Sequence, residues 1–434
     1  MRVAMPLREV LSGKKLTGRA AGLSLAMILA AASSAAPAAS TSPASSLPGA
    51  PPWAGHPAIV AAPAGGDSPG QIWLEMPSGG RAPVPAPPRA RIVAAEALAA
   101  GWIAAGTEPA REGTEIVLLA GMAGRTVELP APPRHDGGLR REPLPLVEDG
   151  RLAGLVWLEG ATSRALAVRY AAWDGGAWRD EQLISAPGPG SQLALTAARL
   201  ADGSWLLAWS AFDGAADQIV WSTRRGRAWT HPRPLTPSRL RSPRDLRDAQ
   251  GPNITPDLAP LPASQGGGAL IAWSRLEGAG QDAAYRVVTA RFAGGRWEEP
   301  QEVGPAGSLY PTFVAAPAPA VLAGGAGGAG AAGAAGAAAA TGNPASAGAG
   351  PAQGLELLYR NAAPGGWTVL DLAATGRPQR TAFLADAGHA PAATLPAGEH
   401  SRPVPAVGPG GVTFRWPAAG GEHFAPWSSW EPSR

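Results

Sequence analysis

The sequence predicts an all-β fold built from a repeated four-stranded unit. Three observations carry this. Gly (58 residues) and Pro (47 residues) are frequent, which breaks long helices and supplies turns. Short apolar-aromatic runs alternate with Asp-Gly and other Gly-containing turns suited to antiparallel hairpins. The tryptophans Trp102, Trp157, Trp209 and Trp273 recur in corresponding runs, about 50 to 65 residues apart. That period is one four-stranded blade of a β-propeller.

The chain has 434 residues. It opens on a targeting pattern. Arg2, Arg8, Lys14, Lys15 and Arg19 precede the apolar run AAGLSLAMILAAA, which is too short to span a bilayer. Ala36-Pro37-Ala38 then gives a small-residue cleavage site, so residues 1–38 read as a signal peptide and the mature chain as exported, periplasmic or secreted. Residues 39–56 (ASTSPASSLPGAPPWAGH) read as a flexible linker, and 57–430 as the propeller.

The basic balance of the whole chain (net +3) belongs to this leader. Removing it takes five basic residues and one acidic residue, leaving 31 basic against 32 acidic. No clustered basic face remains, so the sequence gives no nucleic-acid footprint. There is no Cys, which excludes disulfides, a lipidated Cys anchor, and thiol chemistry. The six His residues show no metal-ligand spacing, and no cofactor or metal is expected. The mature chain is expected not to span the membrane and to be a monomer.

Four units follow one another in register. The first reads RIVAAEAL, GWIAAG, TEIVLLAGMAG and RTVELPAP; the second LPLVEDG, GLVWLEGA, RALAVRYAAWDG and GAWRDEQLIS. The third reads LALTAARLADG, SWLLAWSAFDG, DQIVWSTRRG and RAWTHPRPLT; the fourth ITPDLAPL, GGALIAWSRLEG, AAYRVVTARFAG and GRWEEPQEV. A fifth is less regular. SLYPTFVAAPAP opens it, and GLELLYRNAAPGGWTVLDL reads as its third and fourth strands, with Tyr359 eight residues before Trp367. The Ala/Gly-rich stretch 323–353 interrupts it and reads as a disordered insert. Its formal G-x-G-x-x-G (Gly328, Gly330, Gly333) lacks the acidic residue that a dinucleotide site requires. Two fragments remain. QIWLEMPSGGRAPVPAPP resembles a third and fourth strand, and RPVPAVGPGGVTFRW a first and second. Together they complete a sixth blade, closing the ring with strands from both chain ends and removing exposed sheet edges. Residues 378–400 stay unassigned, which leaves seven blades open.

The third-to-fourth hairpin carries a family resemblance. Ser222-Thr223-Arg224-Arg225-Gly226-Arg227-Ala228-Trp229 resembles the Asp-box, S-x-D-x-G-x-T-W, of bacterial neuraminidase repeats, with Arg224 in the place of the Asp. The resemblance is to the sialidase-like propeller superfamily and covers roughly residues 57–430. It implies that the box lies at the turn end, away from the ligand, with its Gly setting a turn and its Trp packing between blades. For an active sialidase it would imply a Tyr nucleophile with a Glu partner, an Asp acid/base and an arginine triad. The Phe-Arg-Ile-Pro motif of such enzymes is absent; RARIVAA around Arg91 is its nearest approach.

In this architecture the ligand end is built by loops entering each first strand and by loops joining second to third strands. Entry loops carry Arg134, His135, Asp136, Arg140, Arg141 and Glu142; Arg239, Arg241, Arg244, Asp245, Arg247 and Asp248; and Glu399, His400 and Arg402. Tyr310 stands at the entrance of SLYPTF. Planar Arg forks suit carboxylate, sulfate or phosphate. The candidate ligand-binding residues are therefore Arg244, Arg247, Tyr310, Arg402, Arg141 and His400. The second-to-third loops add Glu112, Glu159, Asp213, Asp217, Glu277 and Asp282, whose carboxylates suit acid/base hydrolysis of a glycoside. The G-x-S-x-G at Gly66–Gly70 lacks the strand-to-helix context of a nucleophile elbow. The expected function is binding of an extracellular glycan or small anionic ligand. A glycoside hydrolase and a protein-binding scaffold are the alternatives, and the sequence leaves catalysis open.

Overall fold

The computed structural model describes residues 58–61, 72–75, 81–122, 124–135, 138–236, 253–278, 282–315, 355–361, 367–384, 404–408, 411–418, 421–426 and 431–432. They form a β-propeller-type succession of seven antiparallel sheets. The first sheet holds β1 (Ala58–Ala61), β2 (Ile72–Glu75) and β3 (Arg81–Val84). The second holds β4 (Arg91–Leu98), β5 (Gly101–Ala110), β6 (Gly113–Met122) and β7 (Arg125–Leu129); the third β8 (Leu139–Glu148), β9 (Arg151–Gly160), β10 (Leu166–Trp173) and β11 (Trp178–Ser185). The fourth holds β12 (Gln192–Arg199), β13 (Trp205–Phe212), β14 (Asp217–Arg225) and a fourth strand in two pieces, β15 (Ala228–Trp229) and β16 (Arg233–Pro234). The fifth repeats this with β17 (Asn253–Pro260), β18 (Ala269–Glu277), β19 (Ala284–Ala293), β20 (Arg296–Trp297) and β21 (Gln301–Glu302). The sixth holds β22 (Ser308–Ala315), β23 (Leu355–Asn361), β24 (Trp367–Leu372) and β25 (Pro378–Leu384); the seventh β26 (Val404–Gly408), β27 (Gly411–Ala418) and β28 (Gly421–Pro426). The last strand, β29 (Glu431–Pro432), pairs with β25.

The second to fifth sheets follow the strand divisions read from the sequence. Each is a meander whose first strand lies against the first strand of the next sheet, from β1 through β4, β8, β12, β17 and β22 to β26. The core is correspondingly divided. Five apolar clusters each fill the space between two successive sheets, as when Ala198, Leu206 and Trp221 meet Leu258, Ile271, Trp273 and Phe292. The second-strand tryptophans Trp157, Trp209 and Trp273 are fully buried there. Burying an aromatic of this size is worth roughly 1.5–3 kcal/mol or more, so these side chains set the spacing between sheets.

The hairpin aromatics pack across sheets as well. Tyr170 meets Trp229 edge-on at 5.7 Å, and Trp221 meets Trp297 at 6.2 Å. Gly226 turns with φ of 67°. Arg224, in place of the box acid, lies 4.7 Å over the Tyr170 ring and 3.6 Å from Glu148 of the preceding sheet. This hairpin is therefore a structural joint, with an inter-sheet cation at Arg224.

Two expectations are corrected. Leu355–Asn361 is the second strand of its sheet, paired with β22 and β24, and Pro378–Leu384 is the fourth. Tyr359 is buried in the place that Trp209 and Trp273 hold, because it falls within the same kind of register shift opposite the first strand. The two terminal fragments do not share a sheet in the described residues. Both edges of β2 are taken by β1 and β3, and both edges of β27 by β26 and β28. Ala58–Ala61 and Gly421–Pro426 supply the extra partners, each too short or too Gly-flanked to stand out in sequence. The described residues form seven sheets, two of them three-stranded. Residues 1–56 and the Ala/Gly insert at 323–353 lie outside the described residues. Among those described, no helix is long and apolar enough to cross a membrane.

Candidate functional site

The first strands share a local device at their entrances. Register shifts fall between Arg141 and Leu144, Leu193 and Thr196, Ile254 and Asp257, and Leu309 and Thr312. Each contains one residue in the left-handed region: Glu142 (φ 49°), Ala194 (59°), Thr255 (51°) and Tyr310 (52°). A non-glycine residue there costs about 1–2 kcal/mol. Bulges of this kind re-aim side chains at rims and beside sites.

Two residues before each bulge residue stands a buried polar side chain: Arg140, Gln192, Asn253 and Ser308. Gln192 Oε1 accepts from Trp209 Nε1 (2.8 Å), and Asn253 Oδ1 from Trp273 Nε1 (2.9 Å). In the third sheet, Trp157 Nε1 instead donates to Glu159 Oε2 (2.8 Å), which also receives Arg140 (3.3 Å). Sheets are then tied to one another at this level. Leu195 N donates to Glu142 Oε2 (2.9 Å), Phe313 N to Asp257 Oδ2 (2.8 Å), and Tyr310 N to Ser274 Oγ (3.0 Å). Ser274 Oγ also lies 3.1 Å from Thr255 Oγ1. Sequence reading named Arg140, Glu142 and Glu159 as loop charges but missed Gln192, Asn253 and Ser308. Their signal is a single polar side chain opening each apolar first strand.

Most of the charged candidates are engaged within the fold. Arg140 is buried, held by the carbonyl oxygens of Pro132 (2.8 Å) and Pro133 and by Glu159. Burial lowers its pKa, opposed by the Glu159 and Glu115 charges. Arg134 pairs with Glu115 and donates to the Thr114 carbonyl (3.0 Å). His135 meets Glu181, while its backbone N–H donates to Glu159 Oε1 (2.6 Å). Arg275 and Arg286 face each other across β18 and β19, each paired with both Glu277 and Glu302. Asp213 Oδ1 closes its own turn, accepting from Ala215 N (2.9 Å) and Ala216 N (3.0 Å).

Of the six predicted ligand residues, Arg244, Arg247, His400 and Arg402 lie outside the described residues, as does Asp136. Arg141 is exposed at the flank of its bulge, next to Glu142. Tyr310 is the bulge residue of the sixth sheet. The structure does not bring Arg141 and Tyr310 into one described group.

Instead, Tyr310 stands at the same end as Asp217 and Tyr285, one residue from each of three successive sheets. Asp217 opens β14, Tyr285 is the second residue of β19, and Tyr310 the third of β22. Their backbones are fixed. Asn253 Nδ2 lies 3.4 Å from the Asp217 carbonyl, and Gly307 N donates to the Tyr285 carbonyl (2.8 Å). Burial, then the Asp213 charge, raises the Asp217 carboxyl above its ordinary range. Burial, then Asp217 and Tyr310, raises the Tyr285 phenol. Among the described residues no cluster of acids and histidines could hold a metal ion. The arrangement can accept hydrogen bonds at one carboxylate and exchange them at two phenols.

No protein-family model matches the chain, and no curated protein sequence does. Solved structures give distant likenesses. A protein of unknown function from Dyadobacter fermentans has 10% identity and a TM-score of 0.44, over 85% of this chain and 96% of its own. The BP39L lectin of Burkholderia pseudomallei has 14% identity and a TM-score of 0.41, over 75% and 84%. A thermostable family-43 glycoside hydrolase has 10% identity and a TM-score of 0.34, over 58% and 93%. At these scores the class rests on the strand order and packing above. The chain is a β-propeller; likeness at this level transfers no ligand.

Proposed function

We propose that this chain is an exported propeller that binds a glycan at the end where its first strands begin. The observation that carries it is the belt of bulges at Glu142, Ala194, Thr255 and Tyr310, which holds rim residues of successive sheets in fixed, strained geometry. Polar groups on such a rim suit a ligand with many hydroxyls. Descent from a sialidase-like ancestor is our interpretation of the degenerate Asp-box, and export is our reading of residues 1–38. Any acidic group on the glycan would be held by Arg244, Arg247 and Arg402, with Arg141 and His400 as further candidates. Screening the mature chain on a glycan array at moderate salt tests this. Saturable binding to a defined glycan set supports it, and an array with no binding overturns it. Release of free sugar in the same assay favours hydrolysis, for which Asp217 with its raised pKa is the acid to mutate first.

A further inference from the structure

We propose that Asp217, Tyr285 and Tyr310 form a subsite for the hydroxyl groups of a neutral sugar ring. The proposal rests on the glycan-binding reading and specifies the part of the ligand that this face would take. It begins from what the rim positions do. At the four bulges, Glu142 receives Leu195 N, Thr255 meets Ser274, and Ala194 has no polar group. Tyr310 differs, because its backbone N–H is bound by Ser274 while its hydroxyl has no partner among the described residues. The side chains of Asp217 and Tyr285 likewise make no hydrogen bond among the described residues, although their carbonyls are engaged. Asn253 Nδ2 at the Asp217 carbonyl (3.4 Å), Gly307 N at the Tyr285 carbonyl (2.8 Å) and Ser274 Oγ at the Tyr310 N–H (3.0 Å) bring the three residues to one level of successive sheets, and Asp217 and Tyr310 both bear electrostatically on the Tyr285 phenol.

The chemistry then selects the ligand. A carboxylate accepts two hydrogen bonds from a vicinal diol. Each phenol both donates and accepts, and its ring offers an apolar face to the C–H side of a sugar. A second acid, Asp213, lies close enough to raise Asp217. Two acids at this face disfavour a ligand carboxylate or sulfate there, and no unpaired cation of the described residues joins them. An acidic glycan would thus place its charge elsewhere and a neutral ring here. A quaternary ammonium, which also suits an acid between aromatic rings, is the competing occupant.

Saturation-transfer NMR on the mature chain provides the test. The probes are the methyl glycosides of glucose, galactose, mannose and fucose, with N-acetylneuraminic acid and tetramethylammonium chloride alongside. At least one neutral glycoside should give signal with the parent. Asp217→Asn and Tyr310→Phe should each weaken its Kd by about tenfold, the scale of a lost hydrogen bond to a charged group. Tyr285→Phe provides a third variant, should one of these fail to fold by near-UV circular dichroism. Arg296→Ala, at an exposed turn of the opposite end, should change nothing. Neutral binding untouched by these variants overturns the subsite and leaves the glycan reading standing. So does binding of the acidic sugar alone. Binding of tetramethylammonium alone overturns the sugar assignment. Silence from every sugar, here and on an array, overturns both readings.

Discussion

Replacing Gln192 with Met tests the polar rivet at the head of each first strand. Gln192 is 3% exposed, and its side chain makes three hydrogen bonds. Oε1 accepts from Trp209 Nε1 (2.8 Å), and Nε2 donates to the carbonyls of Leu166 (2.7 Å) and Ala186 (2.9 Å). Met has nearly the same volume and reach, so the cavity contribution is small. The two bonds to the Leu166 and Ala186 carbonyls, at about 1 kcal/mol each, are lost. The Trp209 N–H, wholly buried, then has no acceptor, which alone costs about 1–3 kcal/mol. The expected loss is about 3–5 kcal/mol. Asn253→Leu removes one good bond, to Trp273 Nε1, and one long contact, so about 2 kcal/mol is expected there. Urea unfolding followed by circular dichroism measures both, with Trp209→Phe completing a double-mutant cycle. A loss under about 0.5 kcal/mol for Gln192→Met, or a larger one for Asn253→Leu, would refute the reasoning.

Other expectations follow from the same geometry. Glu159→Gln should cost about 3–5 kcal/mol, because it removes the buried countercharge of Arg140 and leaves only the more exposed Glu115 at 3.7 Å; a loss below about 1 kcal/mol in urea unfolding counts against this. Asp217→Asn should stabilise the fold near neutral pH. A carboxyl whose pKa is raised by folding destabilises as it ionises, so the gain should vanish below the unfolded-state pKa and grow as pH rises through the folded one. Thermal unfolding at several pH values measures this, and a gain that is independent of pH would contradict it. Arg224→Met should lower stability by about 1–2 kcal/mol through loss of the Tyr170 and Glu148 contacts, without affecting sugar binding at the other end. Ala194→Gly relieves a left-handed alanine and should be neutral or stabilising by up to about 1 kcal/mol; a loss above 1 kcal/mol in urea would show that the methyl group is needed.

The repeat was legible because Trp157, Trp209 and Trp273 occupy the same place in successive sheets, and a large buried ring admits few substitutes. The fifth repeat misled because Tyr359 followed by Trp367 imitates a third-to-fourth hairpin, while a long insert separates β22 from β23. Register distinguishes the two, and register depends on which strand lies alongside. The terminal sheets were hidden for a related reason. Ala58–Ala61 is only four residues long within an Ala/Pro/Gly-rich stretch, so Ile59 and Val60 do not stand out as a strand. The site was legible in part. Strand order alone placed Asp217 and Tyr310 at the end where the first strands begin, as the structure has them. Which charges were free was not legible, because pairs such as Arg140 with Glu159 form between residues 19 apart through a fold that local pattern does not encode. Tyr285 gave no signal, since one Tyr in an apolar strand reads as core.

A crystal structure with the tightest-binding glycan from an array addresses the central claim most directly. The account predicts a sugar ring at the first-strand end, with its hydroxyls within about 3 Å of the Asp217 carboxylate and the Tyr310 hydroxyl. A glycan seated instead at the opposite end, beside Arg224 and Trp229, would contradict it.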